Sequence, residues 1–131
     1  MIYMLDTDTV SLLVRKNITV MKNLVKREDD EICISAITYA ELRFGLEKKG
    51  SEKLNNEVNT ILGKLSIIDF TGAQSEFYGR IRLALEKSGM PLGDMDLLIA
   101  AAALSAGAIL VTHNTRHFSR IHGIKVEDWS L

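Results

Sequence analysis

Asp6, Glu41, Asp96 and Asn114 are the side chains whose types and surroundings offer chemistry in this sequence. Asp6 closes the apolar run Ile2 to Leu5 and is followed at once by Thr7, Asp8 and Thr9. Glu41 falls in the first turn of a segment that opens at Thr38. Asp96 follows Gly93-Asp94-Met95 and leads into Leu97 to Leu104, which is apolar on every side. Asn114 comes just after the run Ala108 to Thr112. Three carboxylates drawn together cannot all stay ionised without a compensating cation. Ligands made of oxygen alone suit Mg²⁺ or Mn²⁺ and do not suit zinc. A site of that kind polarises a phosphodiester and activates water for its hydrolysis.

Each of these residues also has a plainer reading. Asp6 can end a strand or cap a helix, and Asp94 can cap the helix that Asp96 enters. Thr38-x-x-Glu41 has the spacing of a capping box, which needs no metal. Asn114 can cap a turn over Thr115 to Phe118. Asp8 and Asp94 are therefore supporting residues, and it is the shared location of Asp6, Glu41 and Asp96 that argues for a site.

His113 and His117 stand at i,i+4, a spacing that binds zinc on a helix. No third nitrogen or sulfur ligand accompanies them except distant Cys33 and His122, so zinc is disfavoured. Arg116, Arg120 and His117 read instead as a small positive rim for RNA backbone phosphates.

The elements have to bring these positions together. Ile2 to Leu5, Ile32 to Ser35, Ile67 to Phe70 and Ala108 to Val111 read as short strands, with Ile124 to Val126 as an edge strand. Between them lie helical patterns. A short helix capped by Asp8 or Thr9 covers Val10 to Val14, and a second over Ile18 to Arg27 turns Val20, Leu24, Met21 and Val25 inward. Thr38 to Lys49 and Ser51 to Leu65 form a helix pair with more apolar surface than one sheet face needs. Ala73 to Lys87 is amphipathic, with Glu76 and Arg80 spaced as an ion pair. Gly107 ends the buried helix that Asp96 begins. Strands alternating with helices predict an α/β fold, a central, mainly parallel sheet flanked by helices in three layers. Ligands in such sheets bind beyond the C-terminal strand ends, where all four positions fall.

With 131 residues, 47% hydrophobic and 25% charged, the chain reads as a single domain spanning residues 1–131. No apolar run is long enough for a membrane span, and Met1 to Leu5 has no basic region before it, so a cytoplasmic protein is expected. A lone Cys33 reads as a small buried hydrophobe. A net charge of −1 excludes a global nucleic-acid footprint and leaves only local phosphate contacts.

LDTDTVSLL, ISAITYAELRFGLEKK and PLGDMDLLIAAAALSAGAILVTHNTRHFSRI, closing on EDW, together resemble the PIN-domain ribonucleases, and most nearly the VapC-type toxins of toxin–antitoxin pairs. The resemblance runs almost end to end. It implies a PIN-like sandwich in which Asp6, Glu41 and Asp96 are the acidic metal ligands of a Mg²⁺- or Mn²⁺-dependent endoribonuclease. It also implies a cytoplasmic homodimer held inactive by a cognate antitoxin, with RNA (tRNA among the candidates) as substrate and DNA reached only through the antitoxin. The antitoxin would lay a helix on the Tyr39–Leu65 pair. Two positions depart from the pattern: Asn114 stands where many relatives have a fourth acid, and Asp8 where the family commonly has Asn. MIYMLDTDTV also resembles haloacid-dehalogenase-type phosphatases, with Asp6 as nucleophile and Gly93-Asp94 as the later acidic motif. A third possibility is a PIN fold that only binds, weakened by Asn114.

Overall fold

Five strands, each too short to form a sheet alone, align in parallel in the order β3-β2-β1-β4-β5. The computed structural model describes residues Met1–Leu131, the whole sequence. In chain order the elements are β1 (Ile2–Leu5), α1 (Thr7–Val14), α2 (Ile18–Lys26), β2 (Glu31–Ser35), α3 (Ala36–Lys49), α4 (Glu52–Leu62) and β3 (Ser66–Ile68). Then follow α5 (Gly72–Lys87), α6 (Asp94–Ala106), β4 (Ile109–Val111), α7 (Thr115–Phe118) and β5 (Lys125–Glu127). All four strand pairings are parallel. The three-layer α/β expectation therefore holds, and the sheet is wholly parallel.

Side chains alternate between sheet faces with period two, and the sequence uses both. Met4, Cys33 and Leu110 face α5, α6 and α7, where Leu97, Ile99, Ala100, Ala103 and Phe118 complete the core. Tyr3, Leu5, Ile34 and Val111 face α1 to α4, meeting Val10, Val20, Leu42, Val58 and Trp129. The alanines of α6 are small, so this helix lies close against the sheet. No helix of the chain is long and apolar enough to cross a membrane.

The chain builds outward from β1 through β2 to β3, then jumps to the other side of β1 to lay down β4. The β1–β4 pair is thus a topological switch point, where the loops part and leave a crevice at the C-terminal ends. Asp6 leaves β1 there, and Thr112 leaves β4.

Several local expectations need correction. Asp6, not Asp8 or Thr9, caps α1: its backbone is extended and its side chain accepts from the Thr9 amide. Ser35 caps α3 by accepting from the Thr38 amide, so there is no Thr38–Glu41 capping box. Gly93 holds the cap position of α6, and Asp94 is its first residue. Met21 and Val25 are exposed, at 44% and 63%. Glu76 and Arg80 form no ion pair, because the Arg80 guanidinium lies over the Phe77 ring, 4.8 Å from its centre. The pair on α5 is Arg82 with Glu86 at 3.1 Å.

Candidate active site at the acidic sheet edge

Asp6 is only 5% exposed at the end of β1. Its amide donates to the Val111 carbonyl at 3.0 Å, fixing the residue to the end of β4. Its Oδ1 accepts from the Thr9 amide at 2.8 Å, and the Thr9 hydroxyl donates to the Val111 carbonyl at 3.1 Å. Burial raises the Asp6 pKa above 3.8, a shift that hydrogen bonds from Thr112 and Thr9 only partly offset and that the Asp8 charge enlarges. The fold holds a carboxylate where its charged form is disfavoured. An opposite charge would relieve that.

Glu41 lies half-buried in the second turn of α3. With no capping duty, its Oε1 instead accepts a 2.6 Å bond from the Thr7 hydroxyl, which lies 3.4 Å from that of Thr38. Asp96 is half-buried in the first turn of α6. Burial raises its pKa, the negative charges of Glu41 and Asp8 raise it further, and His117 pulls it down. Asp96, Glu41, Asp8 and His117 therefore share one electrostatic neighbourhood, and Asp8 links it to Asp6.

Asn114 occupies the cap position of α7, yet its side chain makes no capping bond. Its amide donates to the Thr112 hydroxyl at 3.0 Å. The Thr112 hydroxyl also lowers the Asp6 pKa, which puts it beside the buried acid. Asp94 turns away: it is exposed and lies 3.9 Å from Arg82. Nor do His113 and His117 converge. The His113 Nδ1 stands 3.3 Å from Asp128 and 3.2 Å from Ser130, whereas Arg120 folds back on His117, 3.2 Å from its Nδ1. Arg116 is exposed on the same turn.

The acids are gathered without being closed on one point. No three acidic, imidazole or thiol side chains stand close enough to hold a common ion. The Thr7 hydroxyl tethers Glu41. The donor set is nonetheless all oxygen, drawn from Asp6, Glu41 and Asp96, and it carries the unrelieved negative charge that a hard divalent cation neutralises. By donor type it suits a hard divalent cation. Thr7 and Thr112 were not singled out from the sequence. Their signal was a hydroxyl residue next to the C-terminal end of each central strand.

Residues 3–124 match the family described as PIN domain. The chain is 37% identical over 132 residues to ribonuclease VapC2 of Rickettsia felis, covering 98% of each. It is 33% identical over 129 residues, again 98% of each, to the tRNA(fMet)-specific endonuclease VapC of Shigella flexneri. Its fold superimposes with a TM-score of 0.94 on a chain of the crystal structure of VapBC2 from Rickettsia felis bound to a DNA fragment from their promoter. That match has 37% identity and covers 98% of this chain and 99% of the other.

Proposed function

This chain belongs to the PIN-domain family, and on that premise we propose that it is a metal-dependent endoribonuclease, the toxin of a toxin–antitoxin pair. The observation that carries this reading is the set of carboxylates from β1, α3 and α6, which burden one another with charge at the switch point of the sheet. Asp6, Glu41 and Asp96 would hold Mg²⁺ or Mn²⁺. The bound cation supplies neutralisation of the scissile phosphate and a lowered pKa for a neighbouring water. Thr7 holds Glu41 toward the site, Thr9 holds Asp6, and Asn114 offers a neutral oxygen that orients water. Arg116, Arg120 and His117 form the rim that receives backbone phosphates. The Shigella relative's name makes tRNA the first substrate class to test.

For the antitoxin, the favoured surface is a cleft that shares only α4 with the helix pair read from sequence. An apolar cleft of about 440 Å³ lies between α1, α2 and α4, lined by Leu13, Val14, Met21, Val25, Ile61 and Leu65. It suits the apolar face of an antitoxin segment. DNA contact is left to the antitoxin, since a chain of net charge −1 has no overall electrostatic pull toward a polyanion. Homodimerisation is assigned to α5, where Leu83 is 53% exposed and Met90, just beyond its end, is 43% exposed.

The phosphatase alternative loses its acidic motif, because Asp94 opens α6 and faces Arg82 instead of Asp6. The deciding experiment is incubation of partner-free protein with total tRNA, with Mg²⁺ or with EDTA. Discrete cleavage that needs the cation is expected. Failure to cut with either Mg²⁺ or Mn²⁺ leaves only a binding module.

A further inference from the structure

A second cleft, about 430 Å³, opens beside Glu41 between α1, α3 and α4. Its walls include two rows of side chains at i,i+4 spacing. Thr7, Ser11 and Arg15 run along α1 to its C-cap, and Glu41, Gly45 and Lys49 run along α3. Residues four apart share a helix face, so each row is continuous. Both begin at the Thr7–Glu41 hydrogen bond and end on an exposed cation, roughly 12 Å away by the rise of eight helical residues. Neither Arg15 nor Lys49 has an acidic partner within 4.0 Å.

Gly45 is the unexpected member. It lies inside α3, its φ is not positive, and a Cβ there would meet nothing within 4 Å. Glycine inside a helix costs about 0.5–1 kcal/mol relative to alanine. No turn or neighbouring backbone of this chain requires it. A molecule lying close against α3 would.

We propose that this cleft is an RNA subsite. On the nuclease reading above, the strand flanking the scissile bond leaves Glu41, passes over Gly45 and sets a backbone phosphate between Arg15 and Lys49. The sign of the charge selects the occupant. Acid stands at the reacting end and unpaired cations at the far end, which suits a polyanion whose reacting phosphate meets a cation held by the acids. The apolar floor of Leu42, Leu46 and Val58 gives sugar and base a dry bed.

The test measures binding without cleavage, in the Asp96→Asn background, using a labelled mixed-sequence single-stranded oligoribonucleotide across a salt series. Lys49→Glu and Arg15→Glu should each weaken binding and lower the slope of log K against log salt by about 0.7–1, one phosphate contact. Lys87→Glu, the same charge change outside the cleft, should leave the slope closer to that of the parent. Gly45→Leu should block binding while the protein melts no lower, because leucine is the better helix former. That separates loss of the subsite from loss of the fold. If Lys49→Glu and Arg15→Glu change the slope no more than Lys87→Glu does, the cations only complement the ends of their helices and the proposal fails. Unaltered RNA binding with lost binding of an acidic antitoxin peptide would give the cleft to a protein, and also overturns it. Wild-type protein that neither binds nor cuts RNA at low salt with Mg²⁺ or Mn²⁺ removes the nuclease reading itself, and this subsite with it.

Discussion

Two carboxylates near the same sheet edge are treated in opposite ways. Asp96 is half-buried among like charges, and its pKa rises through burial and through Glu41 and Asp8. Asp128, just past the end of β5, has a side chain only 9% exposed. Burial pushes it up too, but the Ser130 hydroxyl and amide, with His113, outweigh burial and bring it below 3.8. The Ser130 amide donates at 2.8 Å, and His113 stands at 3.3 Å. The fold can evidently satisfy a carboxylate here when stability is what the carboxylate provides. At Asp6 and Asp96 burial and neighbouring carboxylates outweigh the groups that lower their pKa. Carboxyl groups perturbed in this way cluster at functional sites.

The largest expected effect is at Asp96. Asp96→Asn should lower RNA cleavage by at least about 100-fold, beyond the upper range for groups that merely support a metal ligand. In EDTA at neutral pH its melting temperature should equal or exceed the parent's. The sign follows from linkage. A carboxyl whose pKa is raised by folding imposes no penalty below its unfolded value, and imposes the full penalty once pH exceeds the folded value. Cleavage rates and metal-free melts of parent and variant check both halves. A variant that cuts like the parent removes Asp96 from the site.

Asp128→Asn should do the reverse. It should cost about 1.5–3 kcal/mol, the range for hydrogen bonds to a charged group, while leaving cleavage nearly intact. With its pKa lowered by folding, Asp128 contributes stability above the unfolded value that is lost as pH falls through the folded value. Denaturant midpoints should therefore separate parent from variant at pH 6 and draw together in acid. Equal midpoints at both pH values would erase the contrast with Asp96.

Smaller effects sharpen the site's support. Thr7→Val removes the hydroxyl that holds Glu41 and should slow cleavage about tenfold, the low end for such supporting groups. Asn114→Ala should slow it by a similar or smaller factor. Asn114→Asp should lower the metal concentration at half-maximal rate, and identical metal titrations would place position 114 outside the site. Smallest is Ser35→Ala, about 1 kcal/mol of stability for the lost cap on α3 with activity kept. Thr38→Ala should differ from it by removing a buried hydroxyl beside Thr7 and no cap, which thermal melts and rates on the pair would show.

The sheet, the layering and the acid edge were legible because they rest on long-period signals. Apolar runs alternate with helical patterns, and a parallel sheet sends every strand end to one side. Gly50, Ser51 and Gly107 bound their helices as expected, but the N-caps of α1 and α3 were not legible. In Asp6-Thr7-Asp8-Thr9 and Ser35-Ala36-Ile37-Thr38 several residues are chemically able to cap, and only the extended backbone at Asp6 and Ser35 decides which one does. The same holds for α5, where spacing offered Arg80 to Glu76 but a ring was nearer. The role of Thr7 needed a contact across dozens of residues, which no local pattern encodes. Met21 and Val25 had the spacing of core residues. They line a cleft instead, because helical period cannot tell a buried core face from an exposed apolar cleft.

The most direct test of the central claim is a melt against Mn²⁺ concentration, since a cation bound only by the folded protein raises stability with the logarithm of its concentration. The parent and Asp128→Asn should both climb as Mn²⁺ rises, by equal increments from different starting points, while Asp96→Asn stays flat. Equal climbs in all three proteins, or no climb in the parent, would contradict the assignment of the cation to the acidic edge.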